Sequence, residues 1–429
     1  MKKKQKRPWG IFFAIGLAMV FGSLAGENAS LLGIRIYPIL ETLGSLFLNA
    51  LTLVVVPLVS SSIISGIARI GNDGDFGRVG GKTFLFYFAT SLLAILIGLF
   101  FVNLIQPGLS HTAVVESSPM NGSLEAVHKK VEHYEAKALT GVLFSAIPSN
   151  VLLAFSQGNM LGLIFFSILF GYAISRIDSG PSSTLQSFFN GVFQTMIQVT
   201  HIVMKVLPYG VFCLVAKVFM TTGLGSLSSL ALFSLTVLLG LAVFMFVGLP
   251  LMLKMIARVQ PLRHIKAMTP ALVTAFSTSS SSATLPITID CVEKRAGVSN
   301  RICSLVVPLG TSINMSGSAL YECVAAMFVA QAYGIELSIT TQFLVVIMAL
   351  ITSIGVAGIP SASLVAILVI LKAIGLPTEG IGLFIAVDRL LDMCRTTVNV
   401  FSDSCCAVLV ARAEGEKDVL AKDPAEMPE

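Results

Sequence analysis

Residues 277–286 read "STSSSSATLP", and the apolar arms on either side of them both end in basic residues: Lys254, Arg258, Arg263 and Lys266 before, Lys294, Arg295 and Arg301 after. Lysine and arginine collect at the cytoplasmic ends of membrane segments, so a segment over 267–293 with two basic ends starts and finishes on one side. It must turn back inside the membrane. Its middle is too polar, and each arm too short, for a full span, and irregular backbone is tolerated at that depth only where it lines a cavity in the protein. The stretch therefore predicts a re-entrant hairpin. Residues 341–375 repeat the pattern around "GVAGIPSAS" (355–363), with Glu336 and Glu379 at the flanks and fewer basic residues, so this second hairpin is expected to enter from outside. Two interrupted apolar segments in oppositely oriented halves, each followed by a helix, point to an inverted-repeat transporter with its site near the bilayer midplane.

The rest of the chain agrees. Its 429 residues are 55% hydrophobic and 12% charged, and the mean hydropathy of +0.87 lies outside the range of soluble globular domains. A span needs roughly 20 apolar residues. Runs of that order recur at 8–26, 43–69, 83–106, 149–175, 187–219 and 229–256. Helices are expected throughout, because backbone groups in lipid must bond within their own segment. The basic start "MKKKQKR" precedes an apolar run as long as a span, with no A-x-A cleavage site, and reads as a retained first helix that begins in the cytoplasm. The formal charge of +5 gathers in that tail and in short loops, which is the positive-inside pattern and not a nucleic-acid surface. The most polar stretch, 109–138, reads as a solvated external loop. The seven cysteines and five histidines form no disulfide framework or metal spacing, and no H-E-x-x-H, G-x-S-x-G or Walker sequence occurs. A hydrolase built on the serine cluster would need a general base, and none is identifiable. The chain is not read as an enzyme.

A second stretch, "DRLLDMCRTTVNVFSD" (388–403), puts three aspartates, two arginines and an asparagine into an apolar region. As a helix at about 100° per residue, it gathers Asp388, Asp392, Arg395, Thr396, Asn399 and Asp403 within roughly 110°, opposite Leu390, Cys394, Thr397 and Phe401. Charges at the centre of a span cost about 2.5–3.5 kcal/mol each, so such a stripe must face protein or water. An ion-pair seam between helices is one reading. The other is a coupled site, with Asn399 and Asp403 as oxygen ligands for a cation and Arg395 as a bidentate fork for a carboxylate. In "GTSINMSGSALYE" (310–322), Gly317 and its small polar neighbours are expected to weaken a helix and free carbonyls for a cation, with Asn314 the side-chain ligand. A plain small-residue packing interface is the alternative. Glu322 is an isolated acid in an apolar run, either a proton carrier or a permanently neutral hydrogen-bonding group.

In the order and spacing of "SSSSATLPIT" (279–288), "NMSGSALYE" (314–322), "AGIP" (357–360) and "DxxRTxxNVxxD" (392–403), the chain closely resembles the dicarboxylate/amino acid:cation symporter family. That family includes archaeal aspartate transporters, bacterial proton–glutamate symporters and animal excitatory amino acid transporters. The resemblance covers nearly the whole chain. It implies that Arg395 binds the substrate's side-chain carboxylate, that Asp392 accepts from its amino group, and that Thr396 and Asn399 complete the contacts from that helix. It puts Ser280 and Ser281 at the first hairpin's tip, Ser318 beside the substrate, and Gly358, Ile359 and Ser363 at the second hairpin's tip, the outer gate. Gly310, Asn314, Asn399 and Asp403 match one sodium site. Ser312 with the Ser353, Ile354 and Val356 carbonyls match a second, and Tyr87, Thr90, Ser91 and Asn314 match a third. Glu322 falls where proton-coupled relatives carry a protonatable glutamate.

Three departures qualify this. Ser316 stands where the family has an aspartate, which weakens the third sodium site and favours coupling through Glu322. Ser279 and Met393 occupy the two positions at which relatives place an arginine, so Asp392 loses a usual partner. Ser363 replaces a common gate glycine. The resemblance implies an all-α polytopic protein with eight transmembrane helices, two re-entrant hairpins (262–295 and 338–375) and inverted repeats, working as an elevator. Scaffold helices would lie at 8–70 and 138–220, a transport domain at 81–108 and 225–414, and a cytoplasmic tail at 415–429. The expected function is sodium- or proton-coupled symport of L-glutamate or L-aspartate by an inner-membrane homotrimer with cytoplasmic termini and no tightly bound cofactor. A C4-dicarboxylate or neutral amino acid transporter of the same fold, or a substrate-gated anion channel or sensor, are the rivals.

Overall fold

The computed structural model describes residues 9–26, 29–31, 34–70, 74–109, 147–157, 160–222, 226–355 and 363–421. The expected external loop, beyond Leu109, and the tip residues Val356, Gly358 and Ile359 lie outside them. Among the described residues the chain is helical apart from one short antiparallel ladder, Ser30–Leu31 with Ile34–Arg35. The first helices are α1 (Trp9–Ala25), α2 (Ile36–Ile70) and α3 (Gly74–Ile105). They are followed by α4 (Val151–Gln157), α5 (Met160–Ile174), α6 (Ser179–Val203) and α7 (Leu207–Thr222). The Asn150 side chain starts α4 by accepting from the Leu153 N–H at 3.1 Å. The apolar run 187–219 is not one rod: a 3-10 turn, Met204–Val206, separates α6 from α7. Pro208 explains the break, since it has no N–H to continue the ladder of α6 yet fits the first turn of a new helix.

Helix α8 (Ser226–Val243) continues through a π turn (Phe244–Gly248), α9 (Leu249–Met252) and a second π turn (Leu253–Ala257), and ends at Arg258 with φ of 53°. The first hairpin follows. Its arms are α10 (Pro261–Thr278) and α11 (Ser281–Asp290), which pack on each other. The turn is two residues long: Ser279 has φ of 51°, and the Ser280 side chain caps α11 by accepting from the Ala283 N–H at 3.2 Å. Helices α12 (Asn300–Ile313) and α13 (Ser316–Ala332) come next, then the arms of the second hairpin, α14 (Ile339–Gly355) and α15 (Ser363–Ala373), and finally α16 (Ile385–Ala413).

Three helical rods among the described residues are long and apolar enough to cross a bilayer: Arg78–Ile105, Ser228–Ala257 and the interrupted Asn300–Ala332. The last is buried along its whole apolar stretch, so protein and not lipid surrounds it. Packing follows two sets of partners. Helix α1 lies on α7, and α2 lies on α5, α6 and α7; α3, α8, α13, both hairpins and α16 pack among themselves. Helix α2 also meets α12, α14 and α15, joining the two sets.

Candidate functional site

The polar stripe lies on α16 as the periodicity predicts. Asp388, Asp392, Arg395, Thr396, Asn399 and Asp403 are all buried, none above 5% exposure, while Leu390 turns outward. Phe401, on the opposite face, is buried as well: it packs against the ring of His264 at 5.4 Å, and His264 Nε2 lies 2.9 Å from the Ser404 hydroxyl. The first hairpin thus covers the back of α16.

Arg395 is the centre of the stripe. Its Nη2 donates to Asp388 Oδ1 at 3.0 Å and to Asp392 Oδ1 at 2.9 Å. The guanidinium sits 3.7 Å from the Tyr321 ring centroid, a cation–π contact that desolvation strengthens. The Tyr321 hydroxyl donates to Asp388 Oδ1 at 3.0 Å, and Phe233 and Phe384 pack against the ring. Arg395 is therefore held in position by three side chains, Asp388, Asp392 and Tyr321. Its Nε and Nη1 are buried and, among the described residues, have no hydrogen-bond partner. A guanidinium held rigid with donors unspent suits a carboxylate.

The second cluster lies where α12 ends. Asn314 and Met315 leave helical geometry (φ/ψ of −102°/70° and −95°/51°), so the interruption precedes Gly317, which is helical. Asn314 Oδ1 accepts from the hydroxyls of Thr90 at 3.1 Å, Ser91 at 3.5 Å and Ser316 at 2.8 Å. Its Nδ2 donates to Ser402 Oγ at 3.1 Å and Asp403 Oδ1 at 2.9 Å. Asp403 is 1% exposed, and among the described residues it has no ion-pair partner. Gly310 is a glycine because of it: a Cβ there would lie 2.5 Å from Asp403 Oδ1. Gly317 has a similar reason, since a Cβ would meet the Arg395 carbonyl at 3.0 Å and Asn399 Oδ1 at 3.1 Å.

The profile of the sodium:dicarboxylate symporters matches residues 9–413. The chain belongs to the sodium:dicarboxylate symporter family. It is 34% identical to the proton/glutamate-aspartate symporter of Escherichia coli, over 96% of this chain and 93% of that one. It is 33% identical to the proton/sodium-glutamate symport protein of Bacillus caldotenax, over 95% and 94%. To the human excitatory amino acid transporter 3 it is 34% identical, over 91% of this chain and 82% of the relative.

Within this sodium:dicarboxylate symporter family member, the residues singled out for the third cation site do come together: Thr90, Ser91 and Asn314 share one network, and Ser316 Oγ stands 3.3 Å from Ser91 Oγ and 3.1 Å from Ser402 Oγ. Tyr87 is buried beside them, its hydroxyl donating to the Val306 carbonyl at 2.5 Å. A small cleft between α3, α12 and α14 is lined by Tyr87, Ser91 and Ser353, residues expected in the second and third sites. Ser353 donates to the Leu350 carbonyl at 2.8 Å. Ser312 lies in the last turn of α12 and Ile354 in the last turn of α14, and both side chains lie outside the described residues. Asn399 engages α13: its Oδ1 accepts from the Gly317 N–H at 2.8 Å and the Ser318 N–H at 3.4 Å, capping that helix, while its Nδ2 donates to Ser318 Oγ at 3.2 Å.

Glu322 is fully buried. Its Oε2 accepts from Thr352 Oγ1 in the second hairpin at 2.8 Å, and its Oε1 has no hydrogen-bond partner among the described residues. Ser363 opens the other arm and is close enough to interact with the same carboxyl. At the first hairpin's tip Ser281 is buried, and the Ser279 hydroxyl is buried without a partner. Sequence reasoning missed Arg389. Its Nη1 lies 3.7 Å from Asp392 Oδ2, so Asp392, which lacks an arginine at 279 and 393, has one three residues earlier on its own helix. An i,i+3 pair of opposite charges was the available signal.

Proposed function

We propose that this protein is a secondary active transporter that couples uptake of an acidic amino acid to sodium or proton entry. One observation carries the reading: a single buried face of α16 offers both an anion site and a cation site. Among the described residues Arg395 presents unpartnered donors there, and two turns on, Asp403 is a buried carboxylate hydrogen-bonded only to the neutral amide of Asn314. An ionised carboxylate in that setting is costly until a cation joins it. The relatives' names, which specify glutamate, aspartate, sodium and proton, point the same way.

The mechanism follows from the charges. A cation at Asp403, Asn314 and the end of α12 neutralises the lower stripe. That stiffens the Asn314 and Asn399 network, which also caps α13, and so prepares the site for substrate; the coupling is reciprocal, since each ligand strengthens the other. The substrate's side-chain carboxylate docks on Arg395, its ammonium on Asp392, and its α-carboxylate near the N-terminus of α11, where Ser280 and Ser281 stand and a helix end favours anions. Thr396 and Ser318 line the same site. The second hairpin, from Gly358 and Ile359 to Ser363, closes over it. Glu322 carries the proton and reports it through Thr352 to that hairpin. The set packed around α16, residues 81–108 and 225–414, then moves as an elevator past the scaffold at 8–70 and 138–220. Eight spans, two hairpins, a homotrimer in the inner membrane and cytoplasmic termini complete the proposal, and the two packing sets and the basic N-terminal tail support it.

Asp392 provides the test. Uptake of labelled L-aspartate by proteoliposomes should disappear in Asp392→Ser, because the ammonium loses its acceptor. Full retention of uptake would instead identify a C4-dicarboxylate carrier, which has no amino group to place.

A further inference from the structure

We infer that Arg389 is a positioning residue of the substrate site, holding the Asp392 carboxylate where it receives the substrate's amino group. The inference rests on the acidic amino acid reading above. Asp388 and Asp392 both draw on one nitrogen of Arg395, at 3.0 and 2.9 Å. Two buried carboxylates against one guanidinium leave negative charge in excess, which is unfavourable without a second cation. Arg389 supplies it. Its Nη1 is 3.7 Å from Asp392 Oδ2, its side chain is 14% exposed, and its Nε is buried with no hydrogen-bond partner among the described residues. At about 100° per residue it stands about 60° from Asp392 and about 20° from Thr396. It therefore borders the substrate-facing arc, while Leu390 beside it, 48% exposed, takes the outer face.

The distance decides how it acts. A separation of 3.7 Å is an ion pair but too long for a hydrogen bond, so Arg389 attracts Oδ2 without using one of the roughly four acceptor positions of the carboxylate. Arg395 fixes Oδ1 and Arg389 steers Oδ2, which sets the plane of the carboxylate. Arg389 need not touch the substrate. The consequence is selective: a ligand with an amino group depends on that plane, whereas succinate, which has none, does not.

The test compares wild type, Arg389→Gln and Arg389→Lys as full chains in proteoliposomes, reading L-aspartate KM and kcat and inhibition by succinate. Arg389→Gln should raise KM for L-aspartate about tenfold, the scale of losing one close charge partner, with kcat within about twofold. Succinate inhibition should be unchanged, and Arg389→Lys should recover most of the affinity. If the Gln variant does not fold, the Lys variant carries the test through a KM increase of about two- to fourfold at constant kcat. An unchanged KM, a loss confined to kcat, or parallel weakening of L-aspartate and succinate would overturn the inference. Failure of the underlying reading looks different, because then the wild type itself takes up no L-aspartate.

Discussion

Replacing Gly310 with alanine places a methyl group 2.5 Å from Asp403 Oδ1 and 2.6 Å from its Cγ. Ordinary contact begins near 3.4 Å, so the carboxylate must retreat by about 0.9 Å (3.4 − 2.5) or α12 must shift away from α16. Either movement disturbs the 2.9 Å hydrogen bond from Asn314 Nδ2 to Asp403 Oδ1, and with it the proposed cation ligands. Overpacking of this kind costs about 1–3 kcal/mol. If that falls on the cation-bound state, cation affinity drops about 5- to 150-fold. The assay is initial L-aspartate uptake by proteoliposomes against external sodium and, separately, against external pH at fixed substrate. The half-saturating cation concentration should rise while the rate at saturating cation holds. A lower maximal rate with unchanged half-saturation would refute the reasoning, since it would mean that Gly310 serves only the packing of α12 on α16.

Further outcomes follow from the same geometry. Ser316→Asp adds a carboxylate within the Ser91, Asn314 and Ser402 network; sodium dependence of uptake should become steeper and its half-saturation fall about tenfold, and an unchanged sodium curve would remove Ser316 from the cation path. Glu414, just past α16, is paired with Lys82 and Arg78, each at 2.7 Å, and these partners hold its carboxyl below the usual carboxylate range. A lowered folded value stabilises above the ordinary 4.5 and is lost as pH falls through the folded value. Glu414→Gln should therefore lower the thermal midpoint at pH 7 by about 1–3 °C, with the difference vanishing in acid; equal midpoints at pH 7 would show that the pairing contributes nothing. Tyr321→Phe keeps the ring over Arg395 but removes the donor to Asp388 Oδ1; L-aspartate KM should rise about threefold or more, whereas Tyr321→Ala, which also loses the cation–π contact, should cost more in the same assay.

The paired arms of the first hairpin and the stripe were legible because each rests on a local conflict: hydroxyls and proline between basic flanks, and charges at helical spacing in an apolar run. Composition and the 100° period were enough to find them. The helix interruption was legible only to within a few residues. Gly317 is a weak helix former, yet the chain leaves helical geometry at Asn314, whose side chain binds Thr90, Ser91, Ser402 and Asp403 from two other helices. That choice is made by tertiary partners and has no local signature. Gly310 shows the same limit, as its need for a bare backbone appears only once Asp403 is seen against it. Pro208 could have divided the run at 187–219, and apolarity concealed it. Asn399 is expected as an oxygen ligand from its residue type, and its engagement with the start of α13 has no signature in the sequence.

The central claim is coupling, and the most direct test imposes gradients one at a time. Labelled L-aspartate and L-glutamate would be offered to proteoliposomes of the purified protein under an inward sodium gradient or an inward proton gradient alone. The account predicts accumulation above equilibrium under at least one gradient, abolished when that gradient is collapsed, with the proton-driven part lost in Glu322→Gln. Equilibration without accumulation under both gradients would contradict it.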